Sequence, residues 1–147
     1  MSSTLTVTNL TTTNVTATNL TDGGGTTSTF ANVVDGSAKF YINFNGQSTP
    51  IVSKSLNHSS LTDNGAGDYT FNFTNNMDGA YYSHVGASHF DGSTTAIFSF
   101  GLRENTTWSG ERSASLIRYE SIYVNTTNNR TNFDPDEATL TIHGDLA

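Results

Sequence analysis

No cysteine occurs in the 147 residues, so neither a disulfide framework nor a thiolate metal site is open to this chain. If it works outside a cell, something other than disulfides holds it together, and oligomerisation is the usual substitute. Charge is scarce as well: 13% of the residues are Asp, Glu, Lys or Arg, about half the ordinary share. The six basic residues, Lys39, Lys54, Arg103, Arg112, Arg118 and Arg130, are scattered and form no patch. With a formal net charge of −7, the chain lacks the electrostatic footing for phosphate backbones, and anionic lipid surfaces repel it. Nucleic acid and membrane are therefore not expected partners. No apolar run approaches the roughly 18 residues of a membrane span, and no basic segment followed by an apolar stretch opens the chain as a secretory signal would. Assembly in the cytoplasm, without export, is the expectation.

Helix formers are thin, and no amphipathic helical window of useful length appears. Thr, Asn and Ser fill their place. Such a chain dissolves through hydroxyls and amides, and its β-branched Thr favours strands.

Residues 5–21 repeat with a period of five: Leu5-Thr-Val-Thr-Asn9, Leu10-Thr-Thr-Thr-Asn14, Val15-Thr-Ala-Thr-Asn19, Leu20-Thr21. The register superficially matches a pentapeptide-repeat β-helix, but a solenoid needs several stacked turns, and three units enclose no core. One sizeable apolar side chain per five residues buries little unless other copies supply the missing faces. Three chains about a common axis would bring Leu5, Leu10, Val15 and Leu20 together, which predicts a trimeric β stalk or attachment segment. The alternative is a disordered polar leader. Asp22-Gly23-Gly24-Gly25 reads as a flexible joint, which divides the chain into a stalk over 1–25 and a main domain over 26–147.

In the main domain the period changes to two. Ala38, Phe40, Ile42 and Phe44 alternate with polar neighbours, as do Tyr69, Phe71 and Phe73, then Ala96, Phe98, Phe100 and Leu102, then Ala138, Leu140 and Ile142. Each set is a strand with one buried face. Weaker candidates are 51–56, 80–87 and 114–124. The last has apolar residues on both faces, which a bulge or a neighbouring subunit would explain. Asn45-Gly46, Asp63-Asn64-Gly65, Asp78-Gly79, Asp91-Gly92 and Ser109-Gly110 mark turns. About seven short strands with regular turns predict an all-β chain folded as a β-sandwich.

The wording of one segment is distinctive. Ala38-Lys39, Asn43-Phe44-Asn45-Gly46, Ser55-Leu56-Asn57 and Ser59-Ser60-Leu61-Thr62-Asp63-Asn64-Gly65-Ala66-Gly67-Asp68-Tyr69-Thr70-Phe71-Asn72-Phe73-Thr74, with Met77, resemble a domain recurrent in fibre and other virion proteins of tailed phages, especially marine and cyanobacterial ones. The chain departs from it at Phe40 and Tyr41, where the family often has Ala and Trp. The resemblance implies a virion structural protein. A homotrimeric short tail fibre touching a host-surface glycan or protein is one form, and a capsid decoration or head fibre is another. Phage components are made in host cytoplasm and released by lysis, which agrees with the missing export signal. Self and other virion proteins are then the partners.

Chemistry of other kinds finds little foothold. His84 and His89 are five apart, which on one strand puts them on opposite faces. Asp134-Pro135-Asp136-Glu137 has carboxylates for Ca²⁺, but it reads better as a solvated turn before the last strand. No nucleophile elbow is present. No catalytic, cofactor or metal-binding residue is assigned, and an enzyme is not expected. Exposed aromatics are the better binding hint: Trp108 in a polar loop, and Tyr81 with Tyr82 after a Gly turn, are candidate glycan contacts. Core or intersubunit packing is the competing role. A free carbohydrate-binding module is the rival from another class.

Overall fold

The computed structural model describes residues 19–21, 27–29, 36–92, 97–102, 111–124 and 129–147. The chain divides into two compact units, Met1–Val34 and Asp35–Ala147. In the first, β1 (Asn19–Thr21) pairs antiparallel with β2 (Thr27–Thr29), setting Leu20 opposite Ser28 of the same chain. Leu5, Leu10 and Val15 of the expected stalk lie outside the described residues, as do residues 22–25 of the expected joint.

In the second unit, alternation of large apolar and polar side chains does what the pattern demands. β3 (Ala38–Asn45) buries Phe40, Ile42 and Phe44 on one face. β11 (Glu137–His143) buries Ala138, Leu140 and Ile142 on the same side and pairs antiparallel with β3. With β4 (Ile51–Leu56) and β7 (Ser83–His89) they form an antiparallel sheet in the order β4-β3-β11-β7. The second sheet contains β5 (His58–Gly65), β6 (Asp68–Phe73), β8 (Ile97–Leu102), β9 (Leu116–Val124) and β10 (Arg130–Asn132). β6 pairs β5 on one side and β9 on the other.

The two sheets pack face to face as a β-sandwich. Phe40, Ile42, Phe44, Leu140 and Ile142 meet Tyr69, Phe71, Phe73, Phe100, Ile117 and Tyr119, all buried. Aromatic rings interlock across the gap: Phe44 lies 4.9 Å from Tyr69 and 5.4 Å from Phe71, and Phe40 lies 5.1 Å from Phe73. Their tilted and edge-on geometries are those the ring quadrupole favours. Aromatic bulk lets a chain with few Leu and Ile fill its interior.

β9, the strand with apolar residues on both faces, has pairing partners along both edges. β8 pairs residues 119–124 along one edge. Along the other edge β6 takes residues 116–120 and β10 takes residues 122–124 in series. β9 runs against β6, β8 and β10 without a register shift, so it carries no bulge, and its length reflects two partners end to end. Seven strands of this unit match the expected ones. β5 and β10 come in addition, because their side chains are mostly exposed and leave no apolar alternation to read.

The chain changes sheets at Asn57, whose φ of 58° is the left-handed region that Asn tolerates better than most. There the Asn57 side chain accepts from the Asn75 N–H (2.7 Å) and donates to the Asn75 carbonyl (3.0 Å), while its own carbonyl accepts from the Thr74 N–H (2.9 Å). That grip begins the 74–79 loop. The loop is closed at its far end by the C-terminal residues: Asp78 N–H donates to Asp145 O (2.9 Å), and Ala147 N–H to Asn76 O (3.0 Å).

Candidate interaction surfaces

Burial of one face of the β4-β3-β11-β7 sheet sends alternate residues outward, and the register decides which of them meet. Tyr41 is opposite Leu56 on one side and Thr141 on the other, and Thr141 is opposite Val85. Leu56, Tyr41, Thr141 and Val85 therefore form one row across all four strands. Val85 and Ile51 are each 66% exposed and Leu56 46%. The neighbouring row is Lys54, Asn43, Thr139 and Ala87. Beside it, Asn43 donates to Glu137 Oε1 (2.7 Å). The β4 half of this face is thus apolar and cationic, and the β7–β11 half is apolar and anionic.

β4 and β5 are edge strands whose side chains are exposed on both faces for most of their length. β5 carries register shifts between His58 and Ser60 and between Asp63 and Gly65. Bulges of this kind blunt an edge against indiscriminate strand addition. The β4 edge also bears Lys54, a further common guard.

A pocket of about 200 Å³ lies where the 77–79 turn meets the C-terminal segment, lined by Met77, Asp78, Gly79, Tyr81, Tyr82 and Asp145. Its walls are pinned by the Asp78–Asp145 backbone bond and by a bridge between Met77 and Leu146. Tyr81 and Tyr82, adjacent in sequence, part company. Tyr82 is buried, with its hydroxyl 3.1 Å from the Ser113 and Leu116 carbonyls and its ring under the Arg112 guanidinium at 5.5 Å. Burial pushes its phenol well above the usual tyrosine range. Tyr81 is 96% exposed. Of this pair among the three expected ligand contacts, Tyr81 keeps a free ring face and Tyr82 shapes the floor. Trp108 lies outside the described residues.

The outer face of the other sheet holds a smaller depression of about 140 Å³, lined by Ser99, Gly101, Leu102, Glu120, Ile122 and Arg130. Its two charges are paired with each other, Arg130 with Glu120; elsewhere on the same sheet Arg118 grips Asp68 through two bonds of 2.7 and 2.6 Å. The Asp68 hydrogen bond is the main reason the Arg118 proton is held more firmly than usual.

The acidic run before β11 is a tie point. Asp134 Oδ1 accepts from the Gly67 N–H and the Tyr69 hydroxyl, both at 2.8 Å, and Asp136 accepts from the Asp91 N–H (2.6 Å). With Glu137 taken by Asn43, the three carboxylates diverge to different elements. Among the described residues no group of three or more His, Asp or Glu side chains is placed to hold a metal ion. His84 and His89 do face opposite sides of β7, the first half-buried and the second exposed. His84 Nδ1 meets the Tyr119 hydroxyl, and burial lowers its pKa, helped by Arg112.

Sequence reasoning missed Asp78 and Asp145 as neighbours, since they are 67 positions apart (145 − 78) and only the closing backbone bond joins them. Leu56, Tyr41 and Val85 were equally unreadable as one row, because register between distant strands is not written locally. No protein-family model, no curated protein and no solved structure matches this chain.

Proposed function

We propose that this chain is a structural protein of a tailed-phage particle, a homotrimeric short fibre whose sandwiches associate through the outer face of the β4-β3-β11-β7 sheet. The virion reading is supported by the wording of residues 38–77, which resembles phage fibre domains. The assembly reading is carried by one observation: the row Leu56, Tyr41, Thr141 and Val85, with apolar side chains left in water on a continuous face. Single exposed apolar residues are ordinary, whereas an aligned set marks a surface meant to be covered. The two halves of the face also complement each other, Lys54 on one and Glu137 on the other. A head-to-tail contact of this kind closes into a ring when the rotation permits. A chain with no disulfide gains from such association, because subunit packing adds to the stability of each sandwich.

Native mass spectrometry of the full chain tests this. The expected species is a trimer, and Leu56→Asp combined with Val85→Asp is expected to give a folded monomer. A wild-type chain that stays monomeric at tens of micromolar overturns the assembly, and absence of the protein from purified particles overturns the virion reading. The second reading, a free carbohydrate-binding module, is favoured by the pocket at Tyr81, and it predicts a monomer that binds sugar.

A further inference from the structure

We propose that the pocket formed by Asp78, Gly79, Tyr81, Tyr82 and Asp145 binds a neutral pyranose ring. The sugar's apolar C–H face stacks on Tyr81, and its hydroxyls donate to Asp78 and Asp145.

Four observations converge on this class of ligand. Tyr81 holds a whole aromatic ring in water at 96% exposure, next to polar groups, where an amphipathic partner gains from ring contact and hydrogen bonds at once. Asp78 and Asp145 are exposed, and neither carboxylate accepts a hydrogen bond among the described residues. An ionised carboxylate accepts only, and its bonds from hydroxyl donors are charge-assisted. Among the described residues no cation lines the pocket, and the chain carries a net charge of −7; phosphates, sialic acids and uronic acids are therefore repelled. Size then decides between a single ring and a longer buried ligand. About 200 Å³ is below the roughly 300–1,000 Å³ of sites that engulf drug-sized molecules. One ring enters, and any further residues of a glycan extend into solvent.

The backbone supports preorganisation. The Asp78–Asp145 bond of 2.9 Å and the Ala147–Asn76 bond of 3.0 Å hold the two acid-bearing segments side by side before any ligand arrives. Gly144 allows this approach: a Cβ there would lie 2.9 Å from Tyr82 Cβ. Everything needed belongs to a single sandwich, so the site requires neither the trimer nor the phage assignment.

The test is a ¹⁵N–¹H titration of the isotopically labelled full chain with glucose, galactose, mannose and N-acetylglucosamine, and separately with glucuronate, N-acetylneuraminate and Ca²⁺. At least one neutral sugar is expected to bind at millimolar concentration, about −4 kcal/mol or weaker, with shifts confined to residues 77–82 and 144–146. Tyr81→Ala is expected to weaken that binding tenfold or more while the rest of the spectrum stays unchanged, and Asp78→Asn with Asp145→Asn to weaken it further. The Leu56→Asp, Val85→Asp monomer is expected to bind as well as the parent, so loss of assembly and loss of binding are read separately. Silence with every neutral sugar overturns the proposal. So does equal or tighter binding of the acidic sugars, a response to Ca²⁺ alone, or full binding by Tyr81→Ala.

Discussion

Gly86 shows how much a single side chain governs in this sandwich. It stands between His84 and Ser88 on the inward side of β7, where Phe100 and Tyr119 of the opposite sheet press in. A Cβ there would lie 2.7 Å from Phe100 Cδ1 and 2.8 Å from Tyr119 Cε1. These rings are themselves 4.9 Å apart and locked in the aromatic interior, so they have little room to retreat. Gly86→Ala is expected to destabilise the fold by about 1–3 kcal/mol through overpacking. The check is a lower urea midpoint with an unchanged m-value. Gly67 is constrained differently: its φ is 67°, and a side chain would strike the Ser121 and Phe133 backbone. Neither glycine is among the turn signals read from the sequence: the reason for Gly67 is a packed backbone from two distant segments. The reason for Gly86 is a pair of rings from another sheet.

At the scale of elements, the segment between β10 and β11 contributes through polar ties rather than through apolar bulk alone. Asp134 satisfies the buried Gly67 N–H and Tyr69 hydroxyl, and Pro135 accepts from Gly46 N–H (2.8 Å). One loop thus fastens the β3–β4 turn and the β5–β6 turn together. Asp134→Ala leaves the Gly67 N–H without its acceptor and the Tyr69 hydroxyl with only its longer bond to the Gly46 carbonyl (3.3 Å), and is expected to cost about 1–3 kcal/mol. Tyr69→Phe removes one donor and leaves Asp134 bonded to Gly67, so about 1 kcal/mol is expected. Chemical denaturation of the two variants measures the difference, and equal losses would show that the Gly67 contact contributes nothing. The acidic run does precede the last strand, but it is not the solvated turn expected from the sequence: Pro135 is fully buried and Asp134 half-buried. Which donors it serves depends on where the β3–β4 and β5–β6 turns close, which no local pattern announces.

For the whole molecule, two histidines are expected to make the sandwich sensitive to mild acid. Burial lowers the pKa of His58, which packs edge-on against Phe40, and of His84, which meets the Tyr119 hydroxyl. The folded state therefore prefers both neutral. Above the unfolded value of about 6.5 neither state binds the protons, and stability is complete. Below it the unfolded chain takes up protons that the folded chain refuses, so stability falls until the depressed folded values are reached. The melting temperature is expected to drop between pH 7 and pH 5. In a His58→Gln, His84→Gln variant that part of the slope is expected to flatten, as calorimetry across this range would show. If both slopes coincide, the histidines are not the source.

What the sequence determined alone is the material: strands from period-two apolar residues, polar loops from Gly, Asn and Asp, and an interior of Phe and Tyr with no cysteine to staple it. These follow from local sterics and from side chains alternating across a strand, which neighbouring residues suffice to express. Tertiary structure decided the rest. It set the order β4-β3-β11-β7, brought Leu56, Tyr41 and Val85 into one row, separated Tyr81 from Tyr82, and set Asp78 beside Asp145. Each of these depends on register and closure between segments far apart in the chain, and hydrogen-bond pairing at a distance leaves no mark on any single stretch of residues.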